Sequence, residues 1–314
     1  MGRLAIAARR LRRPSEPSPP PAPFVVGVGR SGTTLLRLML DAHPELAIPP
    51  ETGFVPDVIR ACRRARARPS AVVALLREQR SWGDFDLDEA ALERRFAAAG
   101  RLDATAALRA FYGLYADGQG KPRWGDKTPA YVKRMPMIER ALPEARFVHV
   151  IRDGRDVALS RRRRALREPA PPERVAEKWR KRILGAREQA RRVAHYTEVR
   201  YEDLVTDTEA TLRRVAAAVE LDWDPAMLHH HERAPERLAE ISRDLPAKGR
   251  KAERPGAERA TAHALAAEPP KAERIAAWRE RMPEPDRAAF ERVAGDLLAE
   301  LGYETGGGRT AGVG

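Results

Sequence analysis

The chain is 314 residues long, enough to bury one large core or two small ones, and it carries a formal net charge of +13. Such a balance points to anionic partners, yet aromatics make up only 6% of the residues and none form a stripe interleaved with basic ones, which argues against nucleic acid as the partner. The single cysteine, Cys62, excludes an intrachain disulfide and a cysteine-built metal site, and fits a reducing, cytoplasmic setting.

In chain order, residues 1–13 are basic without a sustained apolar run, and residues 14–23 are proline-rich. Residues 1–23 are therefore expected to be a disordered leader rather than a secretory signal. No apolar run approaches the ~20 residues that span a bilayer, so stable membrane insertion is not expected. Residues 24–28 read as a buried strand, 29–32 as a glycine-rich turn, and 34–42 as a helix capped by Thr33 and ended before Pro44. Helical spacing of apolar residues over 54–66, 70–79, 87–98 and 103–115 predicts an all-helical insertion at about 54–115, and 117–120 a turn. Residues 123–126 read as a short strand leading into a helix over about 129–141.

A second buried strand is expected at 146–151, followed by a helix to about Leu166 and a long helix over 173–194. A third strand is expected at 197–201 and a helix at 208–219. Residues 233–270, charged and poor in large apolar side chains, read as a mobile loop. Helices at 271–281 and 284–301 would close a single domain over 24–303, leaving 304–314 as a disordered tail. Strands alternating with helices imply right-handed crossovers and a parallel sheet, hence an α/β fold.

The turn after the first strand is the richest local signal. A strand–glycine turn–helix unit aims unpaired backbone N–H groups and the positive end of a helix dipole at one point, which suits a phosphate. The spacing Gly27-x4-Gly32-Thr33-Thr34 is that of a kinase P-loop with Thr33 where the lysine would stand and the basic residue moved back to Arg30. The cradle would comprise Gly29, Arg30, Ser31, Gly32, Thr33 and Thr34. Arg152 ends the second strand, and Ser160 lies eight residues further on the following helix. A guanidinium fork and a hydroxyl so placed suit a second phosphate at the carboxyl ends of the strands.

GVGRSGTTLLRLMLDAHPELAIPPE together with HVIRDGRDVALS resembles the sulfotransferase family that uses 3′-phosphoadenosine-5′-phosphosulfate, PAPS. WGDKTPAYV, VRYEDLVTDTEATLRR and the C-terminal WRERM support the resemblance, which covers about residues 24–303. The GRSGTT turn and the downstream PPE are closer to the tyrosylprotein and Golgi-type branches than to the cytosolic phenol and steroid enzymes. The resemblance implies a P-loop-NTPase-like parallel sheet flanked by helices, a 5′-phosphosulfate loop at residues 29–34, and a 3′-phosphate site at Arg152 and Ser160.

Sulfuryl transfer needs a donor cradle, a base for the acceptor hydroxyl and cations for the charge that builds on the leaving oxygen. Glu51, held extended by Pro49 and Pro50, is the candidate base, as in the tyrosylprotein branch. The cytosolic branch instead places a histidine two residues past a lysine, where this chain has Pro129. Lys127, with Asp126 beside it to orient it, resembles the lysine that stabilises the transferred sulfonate. Arg30 supplies the second cation. Tyr201 is expected to line the site, and the resemblance implies that Trp278 and Arg279, with Lys271 a further candidate, contact the nucleotide.

No metal is required by this chemistry, and His229–His231 is set aside as a ligand set because consecutive helix residues diverge. The expected acceptor is a hydroxyl of a small molecule, glycan or peptide tyrosine, and the expected product is adenosine 3′,5′-bisphosphate; homodimerisation is left open. Two other readings stand beside this one. A P-loop-type nucleotide or small-molecule kinase would lack the lysine at Thr33 and has only Asp153, at a strand end, to imitate a magnesium partner for Thr34, and a non-catalytic module would bind sulfated or phosphorylated ligands.

Overall fold

The computed structural model describes residues 18–63, 67–100, 102–162, 170–245, 247, 253 and 255–306. Most of the expected leader, the end of the expected tail, and the end of the helix expected to run to about Leu166 lie outside them. Six short strands form: β1 (Ala22–Gly27), β2 (Leu46–Ala47), β3 (Arg123–Trp124), β4 (Asp126–Lys127), β5 (Ala145–Ile151) and β6 (Tyr196–Arg200). The main sheet is parallel throughout, in the order β4-β1-β5-β6. β1 pairs with β5 from Ala22↔Ala145 to Gly27↔Val150. Both strands are almost continuously apolar and buried, as a parallel strand covered on both faces must be.

Helices cover the two faces according to the twofold alternation of strand side chains. Phe24, Val26 and Phe147 pack against the insertion, made of α2 (Val55–Arg63), α3 (Pro69–Arg77), α4 (Glu89–Ala98) and α5 (Ala104–Gly118), following α1 (Thr33–Asp41) in the chain. The short α6 (Met135–Ala141) joins them. Val25, Val148, Val150 and Val199 face the opposite way, onto α1. Past β5 come α7 (Gly154–Arg162) and α8 (Pro172–Ala190), and past β6 come α9 (Tyr201–Thr206) and α10 (Thr208–Ala218). The chain then runs through α11 (Ala234–Ala239), α12 (Gly256–His263) and α13 (Trp278–Arg281) to α14 (Glu284–Glu300). The last of these packs with α7 and α8 around Val28 and Ile151. Among the described residues no helix is long and apolar enough to cross a membrane.

The structure departs from the sequence pattern in several places. Residues 123–126 are two strands, not one. A Cβ at Gly125 would lie 2.8 Å from the Pro23 carbonyl, and this close approach lets β3 pair with β2 while β4 pairs with β1. Residues 129–141 split at Arg134 into a 3₁₀ turn, Pro129–Lys133, and α6. Tyr201 opens a helix rather than closing a strand. The described part of residues 233–270 contains α11 and α12, which the pattern hid because few apolar residues anchor them and two of the buried positions, Arg237 and Arg259, are charged.

Candidate active site

The turn after β1 is built by backbone conformations that few residues adopt. Gly32 has φ +93°, and a Cβ there would lie 2.3 Å from the Tyr201 ring, so the position admits only glycine without rearrangement. Thr33 therefore does not cap α1, as the sequence suggests; Gly32 holds the cap position with no side-chain bond, leaving the helix N-terminus to a ligand. Arg30 also lies in the left-handed region, φ +84°, and its Nε donates to Ser160 Oγ at 3.1 Å. The two expected phosphate motifs thus meet in one contact. Ser31 is fully buried and its Oγ has no hydrogen-bond partner.

Arg152 leaves the end of β5 with its guanidinium 4.3 Å from the centroid of the Tyr201 ring. Its Nη2 donates to the Arg274 carbonyl at 2.7 Å and lies 3.6 Å from Asp156 Oδ2, while its buried Nε has no partner. A buried guanidinium N–H without an acceptor fits an anion at this point. Burial pushes the Asp156 carboxyl up to about 6, against the pull of Arg152. Lys271 stands elsewhere: half exposed, it pairs with Glu268 at 2.9 Å, and the C-terminal residue beside Arg152 is Arg274. A left-handed Ala276, φ +53°, breaks the expected helix and turns Arg274 inward. Asp153 is fully engaged by Arg155, through Nε at 3.1 Å and Nη2 at 2.7 Å, which leaves it unsuited to hold magnesium beside Thr34.

Glu51 and Lys127 come together as an ion pair, Nζ to Oε1 2.7 Å, with the lysine buried and the carboxylate half exposed. Burial lowers the Lys127 ammonium, opposed by Glu51. Asp126 does not orient Lys127, because successive strand residues point to opposite faces. It turns inward instead, accepting from Thr52 Oγ1 at 2.7 Å and Tyr112 OH at 2.9 Å.

Three cavities lie along the carboxyl edge of the sheet. One, of about 320 Å³, is lined by the 29–34 turn, Arg152, Tyr201 and Glu51. A second, of about 390 Å³, shares Arg152 and Arg274 with it and reaches Arg162 and Arg281. The third, of about 520 Å³, shares Thr34, Glu51 and His263 with the first and is lined further by Arg37, Asp57, Asp84, Lys127 and Arg259. Glu51 thus borders both the turn and the large cavity. The sequence reading missed His263, whose Nδ1 is 3.2 Å from Thr34 Oγ1, and Arg37, which donates to the Ile48 carbonyl at 2.9 Å. Arg259 was missed as well; its Nη1 lies 3.0 Å from Asp84 Oδ1. Only their separation in sequence hid them; the i+4 position of Arg37 after Thr33 is the one local clue.

The triple histidine behaves differently from its helical expectation. It sits in a 3₁₀ segment, Pro225–Glu232, kinked at His229, and donor atoms of His229, His231 and Glu232 lie within 4.8 Å of one another. None of these residues lines the three cavities.

Comparison with known proteins places this geometry. A family model described as "Sulfotransferase family" matches residues 21–225. Protein-tyrosine sulfotransferase of Drosophila melanogaster is 28% identical over 218 residues, 68% of this chain and 40% of that one. Protein-tyrosine sulfotransferase 1 of Danio rerio is 30% identical over 219 residues, 68% of this chain and 56% of that one. The chain thus spans about half the length of these curated relatives. Among solved structures, the sulfotransferase domain of the Synechococcus PCC 7002 olefin synthase superposes with a TM-score of 0.58 at 21% identity, covering 93% of this chain and 98% of that one. The sulfotransferase domain from the curacin biosynthetic pathway gives 0.54 at 19%, covering 92% and 99%. These two share the α/β fold.

Proposed function

This chain belongs to the sulfotransferase family, and from that premise we propose that it moves a sulfuryl group from PAPS to a hydroxyl acceptor. The observation that carries the reading is the position of Glu51, bordering both the phosphate-binding turn and the large cavity with Lys127 at 2.7 Å. The amides of residues 29–34 and the Arg30 guanidinium hold the 5′-phosphosulfate. Arg152 and Ser160 hold the 3′-phosphate, with Arg274 closing that side.

Glu51 takes the proton of the acceptor hydroxyl. The acceptor oxygen bonds to sulfur as the bond from sulfur to the 5′-phosphate oxygen breaks, and that oxygen keeps the electron pair. Lys127 and Arg30 balance the charge that develops there; such preorganised stabilisation is worth ~3–4 kcal/mol per donor. In the ligand-free pair Lys127 holds Glu51. An arriving anion draws the ammonium away and releases the carboxylate as a base. The acceptor enters the 520 Å³ cavity, whose mixed lining of Arg37, Asp57, Asp84 and Arg259 suits a polar hydroxyl compound or a tyrosine side chain with its neighbours. The names of the relatives favour a peptide tyrosine among these.

Calorimetric titration with adenosine 3′,5′-bisphosphate in EDTA tests the reading. Wild type should bind without metal, and Arg152→Ala should bind about 10–100-fold more weakly, as expected for lost charge-assisted hydrogen bonds. Binding of ATP with magnesium, and none of the bisphosphate, would overturn it in favour of a kinase.

A further inference from the structure

A directed chain of hydrogen bonds runs beneath Glu51. The Val55 N–H donates to the Tyr131 hydroxyl at 3.0 Å, and Thr52 Oγ1 lies 2.8 Å from that hydroxyl and 2.7 Å from Asp126 Oδ2. An ionised Asp126 has no proton to give, so Thr52 donates its only one to the carboxylate, and Tyr131 then donates to Thr52. Tyr112 OH donates to the same carboxylate oxygen at 2.9 Å. The Thr52 N–H donates to Thr128 Oγ1 at 3.2 Å. The residue after the proposed base is therefore gripped through both side chain and main chain, and Asp126 is the acceptor that sets the direction of the bonds from Thr52 and Tyr131. Glu51 itself is half exposed and reaches Lys127 from this clamped segment.

We infer that Asp126 is a positioning residue: its ionised carboxylate, acting through Thr52, holds Glu51 in line with Lys127 at the junction of the two cavities. The inference rests on the sulfotransferase reading. Burial raises the Asp126 carboxyl to about 6, although the bonds from Thr52 and Tyr112 pull it down. The titratable groups facing it are Tyr112 from α5, Tyr131 from the 3₁₀ turn and Lys127 on its own strand; from β1 its partner is the apolar Phe24. Protonation turns the carboxyl into a donor. The proton settles on Oδ1, which has no partner, so Oδ2 keeps both donors but as a neutral acceptor; the two bonds lose their charge assistance and the hold on Thr52 loosens. Turnover should accordingly fall as pH drops through about 6, whereas product affinity should not follow the same curve.

The experiment is the pH dependence of kcat, measured with radiolabelled PAPS and either 2-naphthol or a tyrosine peptide, for wild type, Asp126→Asn and Tyr112→Phe. Asp126→Asn should lose the acid limb near pH 6, lower the plateau about tenfold and leave adenosine 3′,5′-bisphosphate affinity unchanged. Tyr112→Phe removes one bond to the carboxylate and should shift the limb upward by about one pH unit, the size expected for a hydrogen bond to a charged group. It is the informative variant should Asp126→Asn fold poorly. Wild-type transfer with an acid limb that neither variant moves would overturn the positioning role alone. Absence of transfer and of bisphosphate binding by wild type at every pH would overturn the sulfotransferase reading and this inference with it.

Discussion

The donor side and the acceptor side of the cleft are built on opposite plans. Around the 29–34 turn, binding capacity comes from main chain: a helix N-terminus without a side-chain cap, two left-handed residues and the ends of adjacent parallel strands. Around the large cavity it comes from side chains brought together across long separations. Arg259 meets Asp84, and Arg237 of α11 meets Asp41 of α1 at 2.7 Å, both pairs buried. The Arg237 guanidinium also donates to Tyr115 OH at 2.6 Å and Gln119 Oε1 at 2.8 Å, and Glu240 nearby accepts from Arg37 at 3.1 Å. One network so ties α1, α5 and α11 into the wall of the acceptor cavity. A backbone cradle binds any member of one ligand class, whereas a side-chain wall is free to change with each acceptor.

Three substitutions would sharpen or break this contrast. Glu51→Gln, at the seam, should lower kcat by about 10²–10⁴-fold, the range for losing a general base, with bisphosphate affinity held near wild type. Retained turnover would remove Glu51 from the mechanism. Arg237→Met, on the acceptor side, leaves the buried Asp41 without its ion-pair partner and should cost about 3–5 kcal/mol by denaturant unfolding; a loss below about 1 kcal/mol would mean that the network does not anchor the wall. His263→Ala touches both sides through Thr34 and should raise the bisphosphate Kd and the acceptor KM together, each about two- to fivefold. A change in only one would show that the seam does not couple the two halves.

The same contrast explains what could be read from the chain. The strands around Phe24 and Phe147, the turn at residues 29–34, and the place of Arg152 at the end of its strand were legible because each is a local pattern: an apolar run, a glycine spacing, a residue at a strand end. Glu51 and Lys127 were each legible, but their 2.7 Å contact was not, since 76 positions separate them. The segment around α11 and α12 was misread because apolar periodicity is the signal for a packed helix, and here only Ala234, Leu238 and Ile241 supply it while Arg237 and Arg259 are buried beside them. Arg274 was not singled out, for want of any local sign that Ala276 turns the chain. Asp126 was placed beside Lys127 by sequence adjacency, which on a strand means opposite faces.

The bond from Arg30 Nε to Ser160 Oγ joins the two phosphate motifs across 130 positions. Lysine would keep the charge of Arg30 but has no donor part-way along its stem. In this chain, therefore, arginine and serine form a single unit rather than two interchangeable parts. Losing either should leave little for the loss of the other to remove, so their effects on donor affinity will fall short of a sum.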